Sequence, residues 1–303
     1  MTPSREPVGD LLAALDRWVP ALLPEPERAA RILAACHETV TNPAAPIDAE
    51  QCRGIERAAH RHSRHLLLFF EPGGSLTPTV EDLGWPPPDL RAMRRRACSV
   101  RSVERTPDGI ATVRIDALDP FDIAEPFLEA AVALTRRAVG LVLDLRFNGG
   151  GDPATVAYIA GMILGAAVPL SEVHGADGIT AWSSTPPSHD LCVSADAPVA
   201  VLTSRATFSS AEALAYHVQV RGRVHVFGEQ TPGAADHVTP VVLTPHVHAQ
   251  LPIARVFDVS TGTGWEGTGV VPDTACEAEG AHEEAIAWIR SRLDGRLDER
   301  VDK

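Results

Sequence analysis

The sequence predicts an α/β protein, a mainly parallel sheet with interleaved helices preceded by a small helical module. Two observations carry this expectation. From residue 139 onward, short aliphatic runs alternate with stretches of helical composition, which is the pattern of βαβ units. Residues 9–63, by contrast, show helical periodicity alone, broken at Pro20, Pro24 and Pro26 and again at Asn42-Pro43 and Pro46. With 303 residues, 45% of them hydrophobic, the chain can bury one large core beside a smaller module. The division expected is a helical module over 1–70 and a core domain over 71–303.

Each element has a local reason. Helices are expected at 9–23, 25–40 and 48–63, separated by the prolines. The Pro-rich stretch Gly84-Trp-Pro-Pro-Pro88 is a loop, leading to strands Ser99–Glu104 and Ile110–Ile115 and a helix at about 123–138. Leu141–Arg146 is a buried strand. Asp152 and Pro153 cap and open a helix over 152–165. Pro198–Thr203 is a further aliphatic strand, and Ala213–Val218 has the composition of a buried helix. Strands near 223–228, 238–244, 249–254 and 255–259 are expected to complete the sheet. A helix over 281–293 closes the chain, with a loose charged tail from Asp294.

Two segments suggest chemistry. The strand at Leu141 ends in Asn148-Gly149-Gly150-Gly151, and glycines there free the backbone for a tight turn and leave N–H groups bare of side chains. Ahead of a helix N-terminus such groups can receive an anion or a developing oxyanion. The contiguous glycines do not fit a G-x-G-x-x-G dinucleotide fingerprint, and no Gly-Lys-Ser/Thr follows for a phosphate loop. The second segment, Thr207-Phe-Ser209-Ser-Ala-Glu212, puts Ser209 at the start of a helix. A serine there is ordinarily an N-cap. The same position, with the amide of Ser210 and the helix dipole beside it, also suits a nucleophile.

These motifs resemble those of a known family. The strand with its glycines, the Phe-Ser-Ser-Ala-Glu helix start, Val224-His-Val-Phe-Gly-Glu-Gln-Thr-Pro-Gly233 and Trp265-Glu-Gly-Thr-Gly-Val-Val-Pro-Asp273 occur in the order found in tail-specific, or C-terminal-processing, serine peptidases. The likeness is greatest to the branch shared by interphotoreceptor-retinoid-binding-protein repeats and the tricorn core protease. The resemblance implies a ClpP/crotonase-like βαβ spiral core and a serine peptidase working through an acyl-enzyme, with a peptide or small peptide-like substrate. Many relatives hold substrate C-termini with a PDZ domain, for which this chain has no signature and no spare stretch. Substrate capture then falls to the helical module, the 72–100 loop or subunit contacts, so a homo-oligomer is a partner this reading admits.

The better-known members use a Ser-Lys dyad, with the lysine about twenty-five residues after the serine. Here that position falls near Ala234-Ala235-Asp236, and the single lysine is Lys303. Arginine stays protonated and cannot accept the serine proton, so the dyad is excluded unless the C-terminus reaches the site. The resemblance then points to a histidine base at the start of a strand after the helical region, which here implies His65 in Ser63-Arg-His65-Leu-Leu-Leu-Phe-Phe70. An imidazole with an ordinary pKa near ~6.5 can take the Ser209 proton and return it to the leaving group. The alternative is that His60, His62 and His65 form a polar edge at a helix end. For the acid that orients the base, the tricorn-like pattern supplies Glu266, with Asp236 and Glu212 as rivals. Glu212, one helical turn from Ser209, is expected to hold loop backbone rather than the base. Gly149 or Gly150, together with Ser210, would form the oxyanion hole. Tricorn-type sites carry a hydroxyl residue just before the histidine, where this chain has Arg64, which favours a plain triad.

Two other functions remain open on the sequence. One is a serine-dependent hydrolase, cyclase or acyltransferase acting on a small metabolite. The other is a silent binder of apolar ligands, since the same fold can persist as a carrier.

Composition excludes several classes. A formal charge of −13 disfavours nucleic acid, which needs clustered positive charge, and Arg94-Arg95-Arg96 is the one basic run, a solvated face or a clamp for a substrate carboxylate. No apolar stretch approaches the ~20 residues of a membrane span. Five cysteines with no CxxC pair read as reduced thiols, and the first residues lack a charged-then-apolar signal, so a cytoplasmic protein is expected. His237, His246 and His248 lie near strand patterns without a zinc-type pairing, and no metal or cofactor is expected.

Overall fold

A computed structural model of the chain describes residues 6–80, 83–185 and 192–301; Lys303 lies outside them. In chain order the elements begin with helices α1 (Val8–Leu22), α2 (Pro26–Thr39) and α3 (Ala49–Ala59), strand β1 (Leu67–Phe70) and the short helix α4 (Leu90–Arg95). Next come β2 (Val100–Arg105), β3 (Ile110–Ile115), α5 (Phe121–Thr135), β4 (Gly140–Asp144), α6 (Pro153–Leu164), β5 (Pro169–Gly175) and β6 (Gly178–Ser183). The chain ends with β7 (Val199–Thr203), α7 (Ser210–Val220), β8 (His225–Gly228), β9 (His237–Thr244), β10 (Val247–Asp258), β11 (Thr274–Ala275) and α8 (Ala281–Val301). They form two compact units, one made of residues up to Pro87 with Glu172–Thr180 and Ala234–Phe257, the other of Pro88–Ser171, Ala181–Gly233 and the chain from Asp258.

In the first unit, helix α1 buries Val8, Leu11, Leu12, Leu15, Trp18 and Val19, the three-and-four spacing that puts one apolar stripe on a helix. Pro26 opens α2 at a position where its missing N–H costs nothing, and the Asp48 carboxylate caps α3 by accepting the N–H groups of Glu50 and Gln51. The helices share a core with Leu66 and Leu68 and with Val241, Leu243, Val247, Ala249 and Leu251 of β9 and β10. Strand β1 runs antiparallel to β10, from Leu67 opposite Gln250 to Phe70 opposite Val247, and β9 pairs antiparallel with β10 as well. The sheet order is β1-β10-β5-β6.

The second unit holds a sheet of order β11-β8-β7-β4-β3-β2. All its pairings are parallel except β2 with β3, as expected for βαβ units. Alternation along the strands divides two cores. Ala111, Val113, Ile115, Leu141, Leu143, Val199 and Val201 face α5, α6 and α7. Ile110, Val142, Ala200, Leu202 and Phe227 face Ala281, Ala285, Ile286 and Ile289 of α8. A Cβ on Gly140 would come within 2.5 Å of the Ile289 side chain, which is why the strand starts on glycine.

Three expectations are corrected. Strands β9 and β10 do not complete the parallel sheet; they belong to the antiparallel sheet of the first unit, and only β8 and β11 extend the parallel one. The two strands expected at 249–254 and 255–259 are one twelve-residue strand, with a shift of register between Pro252 and Ala254. The final helix does not stop at 293 but continues to Val301. Among the described residues no helix is long and apolar enough to cross a membrane.

Candidate active site

Parallel strands β4 and β7 are neighbours, so the loops at their carboxyl ends lie side by side, the place where open α/β sheets build sites. Hydrogen bonds zip the two loops together. The Thr207 hydroxyl donates to the Leu145 carbonyl at 2.9 Å, the Phe208 N–H to the Asn148 carbonyl at 3.0 Å, and the Ser210 hydroxyl to the Gly151 carbonyl at 2.7 Å. Asn148 is fully buried and works in both directions. Its Nδ2 donates to the Ile115 carbonyl at 3.0 Å, and its Oδ1 accepts the Gly150 N–H at 2.9 Å.

The glycines are fixed by close approach. Gly150, at φ +96°, would place a Cβ 2.8 Å from both the Phe208 carbonyl oxygen and the Ser209 Cβ. Gly151, at φ +140°, would drive one to 1.9 Å from the Leu118 carbonyl. This changes the expected set of oxyanion donors. The single N–H of Gly150 is committed to Asn148, and the role of Gly150 is to let its loop touch Ser209. Among the described residues, the N–H groups of Gly149 and Ser210 have no hydrogen-bond partner.

Ser209 heads α7 with φ 54° and ψ −124°. That is outside the extended region an N-cap serine adopts and outside the regions a residue with a Cβ ordinarily occupies. Its backbone is held there by Glu212. The carboxylate of Glu212 is fully buried and accepts the Ser209 N–H at 2.8 Å, the Thr231 hydroxyl at 2.6 Å and the Gly233 N–H at 2.7 Å. Thr231 in turn accepts the Val270 N–H at 2.8 Å, and the Gly233 carbonyl accepts the Gly267 N–H at 2.8 Å. The half-buried Glu266 sits on this turn, whose Trp265 carbonyl accepts the Gly269 N–H at 2.8 Å. Trp265 itself is buried edge-on against His217, at 5.6 Å between ring centres, and the His217 Nδ1 donates to Asp258 at 2.6 Å.

His65 lies in the first unit, just ahead of β1 and 4% exposed. Its Nδ1 donates to the main-chain carbonyl of Asp236 at 2.5 Å. A carbonyl can only accept, so this bond fixes the tautomer and leaves Nε2 as the ring's acceptor. The tautomer-setting bond expected from Glu266 is made here by main-chain oxygen. Burial lowers the His65 pKa to about 4, against the Asp236 carbonyl, which raises it, and His237, which adds to the lowering. The Asp236 side chain pairs with Arg28 and accepts the Ser63 hydroxyl at 3.0 Å. Burial raises its pKa, and the Arg28 guanidinium and the Ser63 hydroxyl oppose the rise.

Sequence reasoning passed over Asn148, Thr231 and Arg28. The signal each carries is a polar side chain within or beside an apolar pattern, where burial demands a partner. Arg94, Arg95 and Arg96 are exposed, as expected of a solvated run, and Arg96 also anchors its loop; its Nε donates to the Ser99 hydroxyl at 3.0 Å and its Nη2 to Asp119 at 2.5 Å.

The model of peptidase family S41 matches residues 109–276, which spans the chain from β3 to β11 with both loops and the Glu266 turn. The chain belongs to peptidase family S41. It is therefore a serine-type peptidase. The fold is shared with solved structures over nearly their whole length. A lipoprotein from Streptococcus agalactiae matches at 19% identity and a TM-score of 0.55, covering 96% of this chain and 98% of that one. A photosystem II D1 C-terminal processing protease matches at 17% identity and a TM-score of 0.52, covering 90% of this chain and 94% of that one. Among the described residues, the two compact units leave no stretch over for a PDZ domain between the helices and the S41 core.

Proposed function

We propose that this S41 peptidase cleaves peptide bonds with Ser209 as nucleophile and His65 as general base, without a lysine. Ser209 attacks the scissile carbonyl while the Nε2 of His65 takes its proton; the amides of Gly149 and Ser210 receive the oxyanion. The imidazolium then protonates the leaving amine, and water, deprotonated by His65, releases the acyl group. The observation that carries this reading is the backbone of Ser209. A positive φ at a serine, enforced by a buried carboxylate, is strain of the kind found where a turn must present a nucleophile.

Several features support the other roles. The tautomer of His65 is the one a base needs, and its depressed pKa keeps it neutral at pH 7. The lysine that relatives use is replaced by Ala234-Ala235-Asp236. This histidine-based scheme is what the retinoid-binding-protein-like and tricorn-like branch implies. Glu266 keeps a supporting role in it, stabilising the imidazolium by its charge while the Asp236 carbonyl orients the ring.

The test is a mixed peptide library incubated with the wild type, Ser209→Ala and His65→Ala and read by mass spectrometry. Products formed by the wild type and lost in both variants support the assignment. Equal product patterns in all three would overturn it.

A further inference from the structure

The Asp236 peptide that orients His65 is itself held by one buried guanidinium. Arg28, on α2, is only 6% exposed. Its Nε donates to the His62 carbonyl at 2.9 Å, its Nη1 to Asp236 Oδ1 and to Glu25 Oε2, each at 3.1 Å, and its Nη2 to Asp236 Oδ2. The hydroxyl of Ser63, fully buried, donates to the same Asp236 oxygen at 3.0 Å. The segment just before His65 is thus tied to Asp236 twice, through the His62 carbonyl by way of Arg28 and directly by Ser63. The tie closes where the Asp236 carbonyl accepts the ring Nδ1–H.

We infer that Arg28 and Asp236 are positioning residues for the general base, holding the peptide whose carbonyl selects the His65 tautomer. This rests on the assignment of His65 as that base. Stability alone is a poor reason for the pair, because a buried ion pair is often replaceable by apolar residues at no loss. What a fork-to-carboxylate pair supplies is a fixed geometry, two parallel bonds in one plane. Ring orientation matters here because only the Nδ1–H form leaves Nε2 free to accept a proton, and an imidazole without a fixed partner exchanges between its two forms.

The test uses the full chain and three variants. Arg28→Met combined with Asp236→Asn removes both charges together and avoids leaving either one buried alone; Arg28→Lys keeps the charge but not the fork; His65→Gln checks the base. Two readouts are taken, kcat and KM on a fluorogenic peptide selected for cleavage by the wild type, and the 15N signals of the His65 ring. The double variant is expected to lose kcat on the order of 100-fold with KM little changed, and its ring signals to move from a single tautomer towards an average. Arg28→Lys is expected to fall between the two, and its ring signals decide the matter should the double variant not fold. Unchanged ring signals with unchanged kcat would overturn the inference. Full activity in His65→Gln would instead sink the base assignment, while the ring signals still report whether Arg28 and Asp236 hold the imidazole.

Discussion

The carboxylate of Glu212 accepts the main-chain N–H of Ser209 at 2.8 Å from within the same helix, and it is the group that keeps the serine's backbone in its strained form. Three donors converge on that carboxylate from three stretches of chain, so it also ties the Thr231–Gly233 loop to the nucleophile. Glu212→Ala is expected to leave all three without a partner. At roughly 1–3 kcal/mol for each buried group left unpaired, a loss of about 3 kcal/mol or more should appear in urea unfolding, together with a fall in kcat. A variant of wild-type stability would show that water or another group replaces the carboxylate.

Strain at Ser209 makes a prediction opposite to that of an ordinary cap. At a relaxed N-cap, serine to glycine costs a few tenths of a kcal/mol. Here, at φ 54°, Ser209→Gly is expected to be more stable than the wild type by about 1 kcal/mol, because glycine carries no Cβ penalty there. Denaturant midpoints of Ser209→Gly and the wild type, measured side by side, check this; a variant less stable than the wild type would show a relaxed cap.

Gly150 tests the contact between the two loops. Its Cβ position lies 2.8 Å from the Ser209 Cβ, and its φ of +96° is strained for any other residue. Gly150→Ala is expected to lower kcat/KM by about 100-fold or more, since it displaces the nucleophile against the amides that receive the oxyanion. A loss of less than tenfold would mean the loops can part without cost.

The pH dependence follows from the depressed pKa of His65. The unfolded imidazole titrates near ~6.5 and the folded one at about 4, so the folded state resists protonation. Its contribution to stability is complete above the unfolded pKa and is lost as pH falls from there through the folded value. Activity has the same sign: kcat/KM should hold through pH 6 and decline only towards pH 4, where an ordinary histidine base would already fail below pH 6.5. A pH profile of kcat/KM with its acid limb near 6.5 would contradict the burial of this ring.

Much of this arrangement was legible in the sequence, for identifiable reasons. Leu141–Leu145 is a run of apolar residues and one aspartate ending on glycines, and it forms the central strand with those glycines against Ser209. The helical periodicity of 9–63 gave three helices because each apolar stripe meets a single core. The sequence pattern divides strand β10 after Ala254, whereas the structure carries it through as one strand with a shift of register between Pro252 and Ala254. The charged run after Asp294 reads as solvent-loving, yet a helix can continue on backbone bonds alone. Hairpin β5–β6, around Gly175-Ala-Asp-Gly178, was passed over although Asp-Gly is a turn signal. The partner of His65 was not legible at all: a main-chain carbonyl leaves no mark in the identity of the residue that supplies it.

The central claim is that Ser209 is the nucleophile and His65 its base, and covalent labelling tests it most directly. Wild type, Ser209→Ala and His65→Ala are treated with a fluorophosphonate and followed by intact mass and peptide mapping. A single adduct on Ser209 is expected in the wild type, none in Ser209→Ala, and formation slower by about 100-fold or more in His65→Ala, as the loss of a general base requires. An adduct that persists in Ser209→Ala, or forms at the wild-type rate without His65, would contradict the account.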